Sequence, residues 1–590
     1  MIYDLLSSLK RMGDPSELAA ASYSLKEGLY ILFDSDSHEE ILIQKDGGNT
    51  GELFELVRAM DFYSLLVEMN KPVDPQKKIH SNNIYSISFK YYDPKKGKSG
   101  EESKNVNIYD FPSLEEHINR YFDALGNWYD NYKNIFKTLP VKPTDKEAVK
   151  LNKHKFLDSI PTVIELVKKY DLKPGKYLKM FIKASIEDYK TANDLYLIPK
   201  IFNNNDDNLV INGEIFGLSN ENMGVNSKKP FLEHKTTPYS VPYRITFNQA
   251  LDAHQLMLWL NSQSKDGKPI NAGYLLDGSS DAITLQEKIS GNTSAHFVHL
   301  KRGKTFEVDD YEMLPQAKEY LTRPFKRKNY LQLTNYDNKS ITDMMSFETV
   351  VDNVLFNGCL VKNYYYEPKA NSKILTARQA SLIQISKNAF ISYFRKSDDT
   401  AIKPIIDKVS LGMILEKLKQ PEPNNVNLTL FARALNLRFA LLEYFEVGGK
   451  EKLGSEVRDG YQELKDKVLQ DKPEGPVVCS SDQEFYFAVG QLARYLIGLS
   501  KAQNMTYNSV SPILRAKDSN KIKREISALI GKYGHEINVF EGKNRSRFDN
   551  LLSIVNSHKD DTQPIMTDLI LAGFASPSII YYKKNEEEEK

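Results

Sequence analysis

Apolar residues recur with two different periods along this chain. In the first hundred residues, short apolar runs are cut by polar turns. Leu29-Tyr30-Ile31-Leu32-Phe33 and Ile41-Leu42-Ile43 predict two buried strands separated by a polar turn at 34–39. A third strand is predicted at 84–89, where Ile84, Ser86 and Ser88 alternate with Tyr85, Ile87 and Phe89. An exposed loop follows at 93–100. Ser113 and Glu116 then form a capping box, and Ile118, Phe122, Leu125, Tyr129, Tyr132 and Phe136 recur at helical spacing, predicting one continuous helix. Further helices are predicted at 153–170 and 177–191, and the stretch 195–400 reads as irregular α+β.

From residue 405 the period becomes helical throughout. Phe431, Leu435, Phe439 and Leu442 mark one face, and Phe485, Val489, Leu492, Leu496 and Leu499 mark another behind Ser481 and Glu484. Ile522, Ile526, Leu529 and Ile530, then Phe548, Leu551, Leu552 and Val555, then 569–574, continue the pattern. Short polar connections suit an antiparallel bundle. The expected class is α+β: a large irregular N-terminal α/β region over 1–404, followed by an all-α helical bundle over 405–590 that ends in a solvated acidic tail.

Composition narrows the partners. At 590 residues with 41% hydrophobic and 27% charged residues, the chain reads as a multidomain globular protein. A signal peptide and membrane-spanning runs are not expected, and two cysteines, Cys359 and Cys479, suit a reducing cytoplasm. The net charge of +1 means that any contact with nucleic acid depends on local clustering. Between 501 and 548 ten basic residues face four acidic ones, so Arg494, Lys501, Arg545 and Arg547 are candidates to track a strand through its phosphates; the bland reading of the same charges is a solvated face. Lys301, Arg302 and Lys304 form a second cluster. Arg323, Lys326, Arg327 and Lys328 form a third, beside Phe325 and Tyr330. In the loop 70–83, Lys71, Lys77 and Lys78 offer phosphate contacts, and Asn82 and Asn83 carry amides that pair with base edges.

Signals for catalysis are sparse. The chain holds no phosphate-binding GxxxxGK[ST] motif. His296 and His299 lack the intervening Glu of a zinc peptidase, and on a strand they would face opposite sides. Asp277 and Asp281 lie in an Asp-Gly-Ser turn. A metal-dependent nuclease built on these four residues remains one alternative, and a protein-binding scaffold without nucleic-acid contact another. No cofactor, metal or catalytic residue is expected.

Three segments carry a resemblance. Met69-Asn70-Lys71-Pro72 with Ile79-His80-Ser81-Asn82-Asn83, the run 487–496 (FAVGQLARYL) and the run 573–582 (GFASPSIIYY) are similar, in order, to segments of the type I-B CRISPR Cascade large-subunit family. The resemblance implies an N-terminal region that inspects the protospacer-adjacent motif and a C-terminal bundle akin to the small subunit. Its implied partners are CRISPR RNA and target DNA, the backbone and small subunits, and a recruited helicase-nuclease, with no membrane. In some members of that family the small subunit is made from an internal start, for which Met413, Val477 or Val478 is the candidate here. Some members carry a cysteine-ligated zinc ribbon; the comparable stretch here, 210–244, has no cysteine.

Overall fold

Leu29 to Phe33 are apolar at every position, a pattern a strand tolerates when both its faces are covered. In the computed structural model they lie in strand β1 (Gly28–Phe33), inside a five-stranded sheet of order β2-β1-β5-β3-β4. The other strands are β2 (His38–Ile43), β3 (Ser86–Tyr92), β4 (Val106–Asn107) and β5 (Tyr177–Ile182). β1 runs antiparallel to β2 and parallel to β5, which is antiparallel to β3. The structure describes residues 1–583 except 36, 45–49, 97–104, 138, 140, 220, 222–243, 277–283, 304–305, 335, 372–373, 421–425, 471–474, 501–506, 538–541 and 560–563. Asp277, Asp281, Lys304, Lys501 and the acidic tail thus lie outside the described residues, as does most of 210–244.

Both sheet faces are buried. Leu29, Ile31, Ile87, Phe89, Leu178 and Met180 share a core with Ile118 and Phe122 of the Phe111–Gly126 helix and with Phe156 and Ile160 of the Lys146–Lys169 helix. Tyr30, Leu32 and Phe181 point the other way, onto Val57 and Met60 of the Glu52–Phe62 helix and Trp259 and Leu260 of the Phe247–Ser262 helix.

Two predicted elements differ. Tyr177–Ile182 is a strand rather than the start of a helix, because it is paired on both sides and its alternate residues fill two cores. These tertiary gains outweigh the helical preference of Leu, Lys and Met. The helix follows as Ile186–Leu197, capped by Ser185. The helix predicted to run to Phe136 stops at Gly126, after which Trp128 turns inward and donates its indole N–H to the Leu195 carbonyl at 3.1 Å. Its N-cap is Asp110, which accepts from the Ser113 amide at 3.3 Å, so Ser113 lies inside the first turn.

The chain is α+β, and its C-terminal part is helical as expected: Ile406–Lys417, Val426–Tyr444, Leu453–Val468, Asp482–Gly498, Ser519–Ile537, Lys543–Ser557 and Thr567–Ala575. Packing divides the chain into two units, one of residues 1–288 with 294–313, the other of 289–293 with 314–590. The expected division at 404/405 falls inside the second unit. Phe347 of the Met344–Phe356 helix and Leu382 of the Ala377–Lys396 helix share one buried cluster with Leu435, Leu492 and Leu571, so the shift to helical period marks no break in the core. Met413, one candidate internal start, is buried in mid-helix, whereas Val477 and Val478 lie between helices.

The tightest packing in this unit joins Asp482–Gly498 to Thr567–Ala575. A Cβ on Gly490 would lie 2.2 Å from the Ile570 carbonyl oxygen, and one on Gly573 would lie 2.1 Å from that of Phe487. Hydrogen at both positions lets the backbones touch. Gln491 locks the crossing: its amide N–H₂ donates to the Gly573 carbonyl at 2.6 Å, and its Oε1 accepts from the Ile579 amide at 3.0 Å. Gly573→Ala is expected to destabilise this unit by at least about 1–3 kcal/mol, the cost of overpacking a core, read as a lower urea midpoint.

Candidate nucleic-acid interface

The loop 70–83 is organised by a residue that composition did not single out. Asp74, with no exposed surface, accepts from the amides of Gln76, Lys78 and Ile79 at 3.1, 2.8 and 3.1 Å and from Arg120 at 3.3 Å. This turn places Lys77 in the left-handed region (φ 58°). Lys71 is turned inward: its ammonium donates to the carbonyls of Lys200 and Phe202 at 2.8 and 2.7 Å, and burial lowers its pKa. Lys78 is half-buried and donates to the Asn105 carbonyl at 3.0 Å. Lys77 is exposed, with Asn70 Oδ1 at 3.3 Å.

The paired asparagines do not reach solvent. Asn83 donates to the Tyr63 and Tyr189 carbonyls at 3.0 and 2.8 Å and accepts from the Tyr85 amide at 3.1 Å. Asn82 donates to Leu65 O and Asn193 Oδ1. Both are 0% exposed, so neither amide can meet a base edge; they close the backbone of the loop instead.

The second and third clusters are largely engaged as well. Arg302 spends its guanidinium on the carbonyls of Leu260, Asn261, Gln263 and Ile270, satisfying acceptors at the end of the Phe247–Ser262 helix. Lys301 pairs with Glu307 at 3.2 Å. Arg323 binds Glu446 and the Tyr444 carbonyl. Lys328 binds Glu443; burial pushes that carboxyl up, but hydrogen bonds from Lys328 and Tyr330 hold it below its usual range. Arg327 lies 5.4 Å from the Tyr336 ring centroid, and Lys326 is exposed. Phe325 and Tyr330, beside the third cluster, are core residues at 0% and 1% exposure and offer no surface on which a base could stack.

In the bundle, Arg547 donates to the Ile580 and Tyr582 carbonyls at 3.0 and 2.8 Å, Arg545 pairs with Asp549 at 3.1 Å, and half-buried Arg494 lies 5.4 Å from the Tyr507 ring centroid. The charge that faces water sits elsewhere on the predicted stripe. The Ser519–Ile537 helix buries Ile522, Ile526, Tyr533 and Ile537, and Arg524 and Lys532 project from its exposed side, with exposed Arg515 and Lys517 just before it. None of these four cations pairs with a carboxylate among the described residues.

One cationic group escaped the sequence reading because pairing of distant strands creates it. Lys90 on β3 is the direct partner of Tyr177 on β5, and Lys26 precedes β1. Their ammonium groups lie 5.7 and 5.3 Å from the Tyr177 ring centroid, and that of buried Lys179 lies 5.2 Å away. Only the spacing of Tyr177 and Lys179, two apart, is legible in the sequence, and it falls in a segment whose composition predicts helix. His296 and His299 lie on the Asn292–Arg302 strand, bonded to Tyr311 and Asp309 respectively. Among the described residues no three His, Cys, Asp or Glu side chains converge on a common point, and no helix is long and apolar enough to cross a membrane.

His80 reports on this region. Burial, then the charges of Lys90, Lys26 and Lys179, lower its pKa to about 4, against a hydrogen bond to the Lys77 carbonyl that raises it. The native state therefore binds fewer protons than the unfolded chain between pH 6.5 and 4, and stability falls as pH drops through that window. Relative to His80→Gln, the wild type is expected to lose up to about 3 kcal/mol across it, measured by urea unfolding at a series of pH values.

Compared with known proteins, the chain matches no family model, no curated protein and no solved structure.

Proposed function

We propose that this chain is the non-catalytic large subunit of a type I-B CRISPR Cascade complex. In this reading it works with CRISPR RNA and the backbone and small subunits, binds target duplex DNA beside the protospacer-adjacent motif, supports R-loop formation and recruits the helicase-nuclease. The observation that carries the reading is the relation between two of the segments that bear the resemblance. The runs 487–496 and 573–582, far apart in sequence, meet in one backbone-to-backbone crossing built on Gly490, Gln491 and Gly573. Such a crossing explains why those residue types occur together in both runs. The third segment is a closed loop around Asp74, Asn82 and Asn83, again a scaffold rather than a contact surface.

The DNA-contacting role then falls to cations that face water. On the bundle these include Arg515, Lys517, Arg524 and Lys532, which suit phosphate contacts that are independent of sequence.

The test is reconstitution. Added to a guide-RNA complex of the backbone subunits, the chain is expected to confer a salt-sensitive shift of target duplex that depends on the adjacent motif. Arg524→Gln with Lys532→Gln is expected to flatten the log–log salt dependence by roughly 0.7–0.9 per charge removed without changing motif preference. Failure to join the complex, or cleavage of labelled DNA by the purified chain with Mg²⁺ or Mn²⁺, would overturn the proposal.

A further inference from the structure

The end of the main sheet carries positive charge that the protein itself does not neutralise. On one face Tyr30, Lys179 and Ser88 form a row across β1, β5 and β3, and Gly28, Tyr177 and Lys90 form the next row outward. Directly paired residues share a face, so Lys90 flanks the Tyr177 ring on one side. On the other side Gly28 has no side chain to cover it. The inner row is core: Lys179 and Asp61 are each 3% exposed and bonded at 2.5 and 2.6 Å, and Tyr23 adds a hydrogen bond to Asp61 at 2.8 Å. In the outer row Tyr177 and Lys90 are half-buried, and exposed Lys26 joins them.

Three ammonium groups thus lie within 5.2–5.7 Å of one ring centroid. The nearby carboxylates are already committed, Asp61 to Lys179 and Glu27 to Lys176. Among the described residues no carboxylate pairs with Lys26 or Lys90. His80 closes a further side: its ring centroid is 6.0 Å from that of Tyr177, its Nε2 is 3.2 Å from the Lys77 carbonyl, and its Nδ1 is buried with no hydrogen-bond partner. A ring's quadrupole offers each cation only a modest attraction. Lys179 is neutralised by Asp61, so the uncompensated charge beside the ring is that of Lys26 and Lys90, and it favours an external anion.

We infer that Lys26, Lys90, Tyr177 and His80 form a phosphate-binding site for the backbone of a DNA strand. Lys26 and Lys90 clamp one phosphodiester at the edge of the Tyr177 ring, and the ring offers a flat apolar surface to the adjoining sugar or base. Lys179, locked to Asp61, contributes field rather than contact. The site rests on the reading of the chain as DNA-contacting, and it adds to that reading a place on the N-terminal unit to which the first family-like segment contributes only His80.

The test uses the full chain with selectively ¹³C-labelled histidine, the His80 signal being assigned with His80→Gln. His80 is titrated alone, with a thymidine dodecamer, and with inorganic phosphate. A bound phosphodiester offsets the lysine charges that face His80, so the dodecamer is expected to raise its pKa by about one unit or more. Lys26→Gln with Lys90→Gln is expected to abolish that rise, to weaken dodecamer binding about tenfold, and to reduce the salt slope by roughly 0.7 per lysine, with the unfolding midpoint unchanged. If the double variant binds the dodecamer as tightly as the wild type, this site is wrong while DNA contact elsewhere stands. If inorganic phosphate shifts His80 and the dodecamer does not, the site takes a small phosphate compound and the inference fails. If neither the wild-type chain nor its reconstituted complex binds DNA, the functional reading fails with it.

Discussion

The N-terminal unit is built around a buried ion pair. An ammonium group taken out of water is costly unless a carboxylate and further hydrogen bonds meet it, and Lys179 meets that condition through Asp61. Asp61 comes from the Glu52–Phe62 helix and Lys179 from the middle of β5, so the pair ties a helix to the central strand at one register. Tyr23 and Tyr30 complete its surroundings, and burial with the nearby Asp61 carboxylate pushes both phenols well above their usual range. Once this pair is set, the next residue on the same face of β5 is Tyr177, and Lys90 is placed beside its ring by strand register.

The helical unit solves the same problem with arginine. Arg438 is 0% exposed, yet its guanidinium reaches Asp568 at 2.8 and 2.9 Å, Ser410 at 2.7 Å and the Asp407 backbone at 2.6 Å. The planar fork satisfies several acceptors at once, which suits a site where three helices meet. Lys450 adds a second cation to Asp407 at 2.9 Å. Together with the Gly490–Gly573 crossing, this network holds the Ile406–Lys417, Val426–Tyr444 and Thr567–Ala575 helices together. Substitution of either glycine or of Arg438 would act on the bundle's core and only through it on any surface.

Charge on a nearly neutral chain sorts into two kinds. Lys71, Arg302, Arg323, Lys328 and Arg547 serve as internal donors to carbonyls or carboxylates, and their positive charge is spent on the fold. Arg515, Lys517, Arg524, Lys532, Lys26 and Lys90 are bound to no carboxylate among the described residues, and their field extends into solvent. Counting basic residues along the chain does not separate the two kinds. Carbonyl and carboxylate acceptors do the sorting, and they come within reach of a given lysine or arginine only after folding.

Periodicity in the sequence was enough to determine the α+β class, β1, the helices beyond 405 and most of their buried faces, because an apolar stripe must be covered wherever it occurs. Tertiary structure decided the rest. It made β5 from a segment with helical composition, since pairing with β1 and β3 supplies hydrogen bonds and two cores that no local window contains. It buried Asn82, Asn83, Phe325 and Tyr330, whose residue types suit a base-contacting surface and a core equally well. It also brought Lys90 and Tyr177 together from two strands, with Lys26 from the segment that leads into a third. A charge cluster of that kind exists only through cross-strand register, a long-range property of the folded sheet that has no counterpart in the linear spacing of its residues.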